Sequence, residues 1–571
     1  MLSTLEGTCE HAEICGRNAL KNETECILHL DNPDKSEDAF NLALDEHIEK
    51  QGTDFRNMVF PAGRKISGET FETLQIDGAV VYGPLKFLDC NFKGGIRAHQ
   101  TTLKDEFVVN GCEVEEWALF RESVFEGVAD FRDSNLVDLD FSYATLEEKA
   151  EFTQSNFFGY DFALATFKGL ADFVGATFRN GGTHFDRTEF EDDALFTEAT
   201  FENYAFFSAS FSGEAFFDSS RFKGRASFRG AEFSQNASFC QVTIQGSASF
   251  EDSLFAEEVR FTEATFQEEV DFTDADICRA DFTGAKFKGD TVFSSAFGPE
   301  GESSFENVYF DEAQVQGSLL ILGKGQARQP FQTGSASFQS VTQSPGSTIR
   351  FRHADLSRCR FRNTNLRDPE FVGVKWCREV GQEGWISREW IDRVGLYDEA
   401  ATRNNESFPE GEVQNQEDTS WPEIERLYRQ LKKNYEERGD FPRAGDFHIG
   451  EKEARRQNEK RWGSWSLLTA YRYLSTYGER PLPASIWIVV LIVGCALGYV
   501  LMDASTGQTA LTSIPADWRE ALVVSGEATL FPVRAAGFEE IGPRVLNLVQ
   551  RALSPILIAL LALALRQRVK R

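Results

Sequence analysis

GRASFRGAEFSQNASF, residues 224–239, decides the fold. Phe228, Phe233 and Phe239 stand five and six residues apart, and Ala226, Ala231 and Ala237 each lie two residues before a Phe. A half-buried strand repeats every two residues and an amphipathic helix about every 3.6. Neither period fits. Working outward, Phe217, Phe222, Phe228, Phe233, Phe239, Ile244, Phe250, Phe255, Phe261, Phe266 and Phe272 alternate steps of five and six. The unit is therefore an eleven-residue doublet with two anchors. The same register runs upstream through Phe120, Phe131, Phe141, Phe152 and Phe162, and more faintly back to Phe87 and Phe92. Near Phe207 and Phe211 the step is disturbed, which predicts one irregular coil. After Phe310 the pattern breaks at GKGQARQPFQTGS, which reads as a loop, and it returns as Leu356, Phe361, Leu366 and Phe371, strictly five apart.

A fixed period over hundreds of residues is the signature of a solenoid. The expected form is a narrow β-helix. Each corner turns one large side chain inward, and the residue two before it also points inward because strand side chains alternate. Little room is left there, hence the Ala. Coils should stack at about 4.8 Å, with Phe228, Phe233 and Phe239 stacking along the axis.

ADFTGAKF (280–287) and ADLSRCRF (354–361) closely follow a consensus of Ala, Asp or Asn, Leu or Phe, then two variable residues. In this they resemble the pentapeptide-repeat family. The resemblance implies a right-handed quadrilateral β-helix over about residues 51–377, with four sides and therefore two doublets per coil, so the expected fold class is mainly β.

The chain of 571 residues holds 52 Phe and 3 Met, and carries a net charge of −31. From Phe120 to Phe310 there are 36 acidic and 14 basic residues. Such a surface repels a phosphate backbone, which argues against nucleic acid as a partner. It suits solubility in a high-salt cytoplasm, where screening removes self-repulsion. The sharper alternative is an acidic solenoid that imitates DNA and acts on a topoisomerase, as some pentapeptide-repeat proteins do. No nucleophile–base pair, phosphate loop or open metal site stands out, so no enzymatic activity is expected.

Residues 1–50 form a Cys/His-rich segment followed by a helix. Cys9, His11, Cys15, Cys26 and His29 fall in CEHAEICGRNALKNETECILHLDNPDK. Zinc takes four thiolate or imidazole ligands tetrahedrally. Cys9, Cys15, Cys26 and His29 are the proposed closed structural zinc site, with His11 as an alternative fourth ligand. Gly16, after Cys15, permits a knuckle turn, and EDAFNLALDEHIEKQG reads as the helix that leads into the first coils.

Downstream, residues 378–420 are polar and read as a linker. Residues 421–480 read as a cytoplasmic helical hairpin and juxtamembrane region. Ile424, Leu427, Tyr428, Leu431 and Tyr435 line one helical face, and Gly439 stops that first helix. The hairpin resembles one tetratricopeptide-type unit. Residues 481–571 read as a two-span transmembrane module. Ala484–Met502 carries no charge and is long enough to span a bilayer. The second span, about Val545–Leu565, includes Asn547, Gln550 and Arg551, which should face protein or water. Positive charge before the first span and in RQRVKR (566–571) places both termini in the cytoplasm at the cell membrane.

Two spans around a loop resemble the pore module of potassium channels. Ala521–Leu530 would be the pore helix, and Gly537, Phe538, Glu539 and Glu540 stand where the filter would be. Glu539 replaces a filter Gly and the Thr-Val run is absent, so the module is a degenerate one. The implied function is sensing, assembly or cation passage by a homo-oligomer with its solenoid in the cytoplasm. The alternative is a membrane-anchored scaffold that docks a protein partner without conducting.

Overall fold

The computed structural model describes residues 8–20, 23–179, 183–296, 307–324, 329–332, 334–378, 393–404, 420–459, 467–506, 518–531 and 541–569. The pore-loop candidates Gly537, Phe538, Glu539 and Glu540 lie outside these residues. Two compact units result: Met1–Cys359 with Pro369–Lys375, and Arg360–Asp368 with Trp376–Arg571.

The first unit is a β-solenoid of about 13 turns with short strands paired in parallel. One coil shows the plan. Arg221–Phe222, Ala226–Ser227, Glu232–Phe233 and Ala237–Ser238 are its four sides. Arg221 pairs with Thr243, Ala226 with Ala248, Glu232 with Leu254 and Ala237 with Val259. Equivalent positions thus stand two doublets apart, as the sequence predicts. Ala226, Phe228, Ala231, Phe233, Ala237 and Phe239 are all buried.

The axis is organised differently from expectation. Phe228, Phe233 and Phe239 do not stack on one another. Each stacks on the anchor one coil away: Phe228 on Phe207 and Phe250, Phe233 on Phe211 and Phe255, Phe239 on Phe217 and Phe261. Centroids in these pairs lie 4.8–5.0 Å apart with rings nearly parallel. Within a coil the rings meet edge-on, as Phe228 and Phe239 do at 5.2 Å and 85°. The reason is geometric. Anchors on opposite corners face each other across the core, whereas the parallel ladder sets equivalent anchors one strand spacing apart.

The alternation of five and six follows from two kinds of corner. In the five-residue step the Ala231 N–H donates to the Phe228 carbonyl and Gly230 has φ +65°. A positive φ at the third residue of a hydrogen-bonded four-residue turn is the type II geometry. It recurs in each doublet, at Gln241, Asp252, Glu263 and Asp274 with φ 55–58°. The six-residue step takes the wider corner. There Gly246 lies against Gly224, and a Cβ on Gly246 would meet the Gly224 carbonyl at 2.6 Å. Between Phe207 and Phe211 the step falls to four, yet Phe207 stays stacked on Phe185 and Phe211 on Phe190. The expected irregularity is thus confined to one corner and leaves both stacks unbroken.

Helix α1 (Ala12–Cys15) and helix α2 (Glu37–Gln51) precede the coils. Ser36 caps α2 by accepting from the Ala39 N–H, and Glu37 and Asp38 suit its positive end. Its buried residues Phe40, Ala43, Leu44 and His47 follow helical spacing. Phe40 meets Phe60 edge-on at 5.4 Å, so α2 covers the end of the inward column, which continues from Phe60 through Val81 and Leu103.

The second unit is helical. It contains α3 (Tyr397–Asn404), α4 (Trp421–Glu437), α5 (Phe441–Asn458), α6 (Leu467–Ser475), α7 (Pro481–Thr506), α8 (Trp518–Leu530) and α9 (Ile541–Val569). The expected hairpin is α4 and α5, and Ile424, Leu427, Tyr428, Leu431 and Tyr435 are its buried face. Residues 378–420 are not linker throughout, because α3 lies within them. Its Glu399 is fully buried and paired with Arg393 at 2.6 Å and with Arg403 at 2.7 Å. That pairing, invisible to composition, holds a short polar segment in a helix. Repeat-type residues 360–368 also belong to this unit. Their exposed backbone is satisfied by helix side chains: Phe361 N–H by Asp398, Asn363 N–H by Glu423, Leu366 N–H by Gln430, and the Arg367 carbonyl by Asn434. An edge with unpaired N–H groups invites further strands, so these contacts close it.

Candidate metal centre and membrane module

Three of the four proposed zinc ligands are Cys residues brought together by local turns. Cys9 N–H donates to the Arg17 carbonyl, and α1 ends at Gly16, whose φ of 60° gives the expected knuckle. Cys26 opens a second turn, its carbonyl accepting from the His29 and Leu30 N–H groups. These turns place Cys9 Sγ, Cys15 Sγ, Cys26 Sγ and a His29 ring nitrogen within 4.8 Å of one another, all four residues buried.

The separations match a tetrahedron. Zn–S and Zn–N bonds of about 2.3 and 2.0 Å imply S···S of ~3.8 Å and S···N of ~3.5 Å. Cys15 and Cys26 sulfurs lie 3.7 Å apart, and His29 Nδ1 lies 3.3 Å from Cys26 Sγ and 3.7 Å from Cys9 Sγ. Burial pushes the His29 ring down to about 4, so it is neutral and able to ligate. Burial pushes the Cys26 thiol up to about 12, so without a cation this sulfur stays protonated. The cluster has the geometry to bind a metal ion. His11, the alternative fourth ligand, is not part of it. Its ring packs on His29 at 4.6 Å and its Nε2 faces Glu25 at 3.8 Å.

At the other end of the chain, Pro481–Met502 and Ile541–Arg566 are long and apolar enough to cross a membrane. Helix α8 lies against both α7 and α9. Ser525 donates to the Ile492 carbonyl at 2.8 Å. Gln550, fully buried, sets its Nε2 2.7 Å from Ser525 Oγ and Thr529 Oγ1, while Tyr499 OH lies 3.2 Å from its Oε1. Asn547 and Gln550 therefore face protein, as expected of polar groups in an apolar helix. The far side of α8 presents Val523 and Leu530 as exposed apolar residues.

A buried ionic cluster that no sequence motif announces joins the hairpin to the segment that leads into α7. Glu453 on α5 is met by Arg456 at 2.5 Å, Arg403 at 3.3 Å, Arg472 at 3.4 Å and the Tyr477 hydroxyl at 2.8 Å. Burial opposes its ionisation, but Arg456 and then Arg472 hold its carboxyl well below the usual carboxylate range. Thr476, Tyr477 and Gly478, just before α7, are three consecutive left-handed residues. The Tyr477–Glu453 bond holds this strained elbow. The available signal is a run of charges in α5 that an exposed helix does not need.

The family model described as pentapeptide repeats (9 copies) matches residues 206–254 and again 250–296, and the one described as pentapeptide repeats (8 copies) matches residues 349–375. These matched stretches of the solenoid are pentapeptide repeats. No curated protein matches the chain. The pentapeptide-repeat solenoid departs from the bare consensus in its eleven-residue doublet, whose corners alternate between two types.

Proposed function

We propose that the protein is an oligomeric membrane protein whose C-terminal helices form a channel-like module, with the pentapeptide-repeat solenoid as its cytoplasmic assembly or sensing domain. One observation carries the reading: α8 is hydrogen-bonded to both apolar helices through Ser525, Thr529 and Gln550, while its other side offers Val523 and Leu530. A plain two-helix anchor needs no short helix fixed by buried polar groups between its spans. An apolar far face fits lipid or a neighbouring subunit. Glu453 with its three Arg partners supplies a rigid path from the hairpin to α7. The expected orientation has both termini in the cytoplasm, and the role is assembly and passage rather than catalysis. The membrane-anchored scaffold shares every element except conduction.

The test is the mass of the full chain in detergent by light scattering, followed by current recording in planar bilayers. The reading expects a closed oligomer and a cation current reduced by joint Glu539→Gln and Glu540→Gln substitution. A monomer overturns it, because two spans cannot enclose a pore. An oligomer silent at every salt concentration leaves the scaffold.

A further inference from the structure

We infer that Cys9, Cys15, Cys26 and His29 hold one zinc ion, and that this ion fastens the cap over the first coil of the solenoid. Three lines of geometry converge. First, the ligand atoms already stand at tetrahedral separations, with Nδ1 of His29 facing two sulfurs. Three soft thiolates and one imidazole in that geometry select zinc over harder cations. Four protein ligands leave no open position, so the role is structural.

Second, the lobe has little else to hold it. Between residues 8 and 36, the described apolar side chains that are buried are the three Cys and Leu28. A lobe this small gains stability from a metal where it cannot from a core. Binding replaces three thiol protons with one dication, giving a centre of net charge −1. Lys35 stands beside it with a largely buried side chain, its Nζ 2.8 Å from the Leu30 carbonyl, and can balance that charge.

Third, the ligands are wired to the coils. Leu28, between Cys26 and His29, accepts a hydrogen bond from the Val59 N–H, the first residue of the first strand. Arg17, two residues after Cys15, donates to the Ala43 carbonyl and to Glu46 on α2. Asp31, two residues after His29, accepts from the Tyr82 hydroxyl on the following coil. Loss of the ion would release the 26–35 segment, then α2, and expose Phe60 at the end of the column. A solenoid needs such an end piece because each coil buries its core only against its neighbours.

The test uses the full chain purified in detergent without added metal. Elemental analysis is expected to find one zinc per chain, Cys26→Ser to lose it, and His11→Ala to keep it. Hydrogen exchange then reads the cap independently of any variant. Stripping zinc with a chelator should raise exchange at Val59 and across α2 by at least tenfold, while amides near Phe228 stay protected. No stoichiometric metal, iron in place of zinc, or a Cys9–Cys15 disulfide in the purified chain would overturn the assignment. Unchanged exchange at Val59 after zinc removal would overturn its role as a fastener.

Discussion

Phe228 is held between Phe207 and Phe250, each 5.0 Å away and nearly parallel, with Phe217 and Phe239 edge-on at 5.3 and 5.2 Å. Both arrangements are favourable for aromatic quadrupoles. Phe228→Ala should lower stability by about 3–5 kcal/mol, because a closed column cannot collapse into the space. Phe228→Ile should cost much less, since Ile244 already occupies an anchor between Phe222 and Phe266. Thermal unfolding of the two variants in detergent checks the order. At this scale the sequence is legible in identity but not in partnership. It names the inward residues, because only large apolar side chains recur at five and six. It does not say that Phe228 touches Phe250 rather than Phe233, because that depends on coil length as well as on spacing.

Helices raise a different problem, since their polar residues do much of the holding. Glu423, Gln430, Asn434 and Glu437 of α4 fall on one stripe, and each contacts residues 363–367. A polar stripe beside an apolar one reads in sequence as a solvated face, so these contacts are hidden there. Helix α3 is hidden for the same reason, since Glu399 and Asp398 look like solvent-facing residues until their partners are placed. The metal centre is more legible, because its ligands lie close along the chain and their turns are local. The hairpin also titrates. A hydrogen bond with His448, and then the charges of Lys452 and Lys432, outweigh burial and hold Glu451 down to about 2 against its ordinary 4.5. A depressed carboxyl stabilises the fold above its unfolded value and loses that contribution as pH falls from 4.5 toward 2. Glu451→Gln should therefore flatten the acid limb of the unfolding curve, by about 1–2 kcal/mol after solvent screening. Helical circular dichroism across that range reads it.

Over the whole molecule, charge and shape act together. Basic residues on the coils often sit one coil from an acid, as Lys168 does from Glu147 at 2.8 Å and Lys223 from Glu202 at 3.1 Å. Such exposed pairs contribute little each, and too few bases are present to neutralise a chain of net charge −31. Raising ionic strength from ~0.1 to ~1 M shortens the screening length from about 10 to about 3 Å. The melting temperature of the solenoid should rise over that range. A fall would mean that the coil-to-coil ion pairs outweigh the self-repulsion.

The aromatic column also sets how such a chain can lengthen. The steps from Phe282 to Phe310 and from Phe310 to Phe338 are longer than the step from Phe228 to Phe250. Their rings nevertheless stack at 4.9 and 5.0 Å, the spacing found in the regular coils. The additional residues have left no mark on the axis. A gene of this type therefore tolerates two kinds of growth: duplication of whole coils, which adds height, and splicing of foreign sequence between anchors, which does not. A reporter peptide inserted between Ala296 and Asn307 would ride on the solenoid without the column registering that it had arrived.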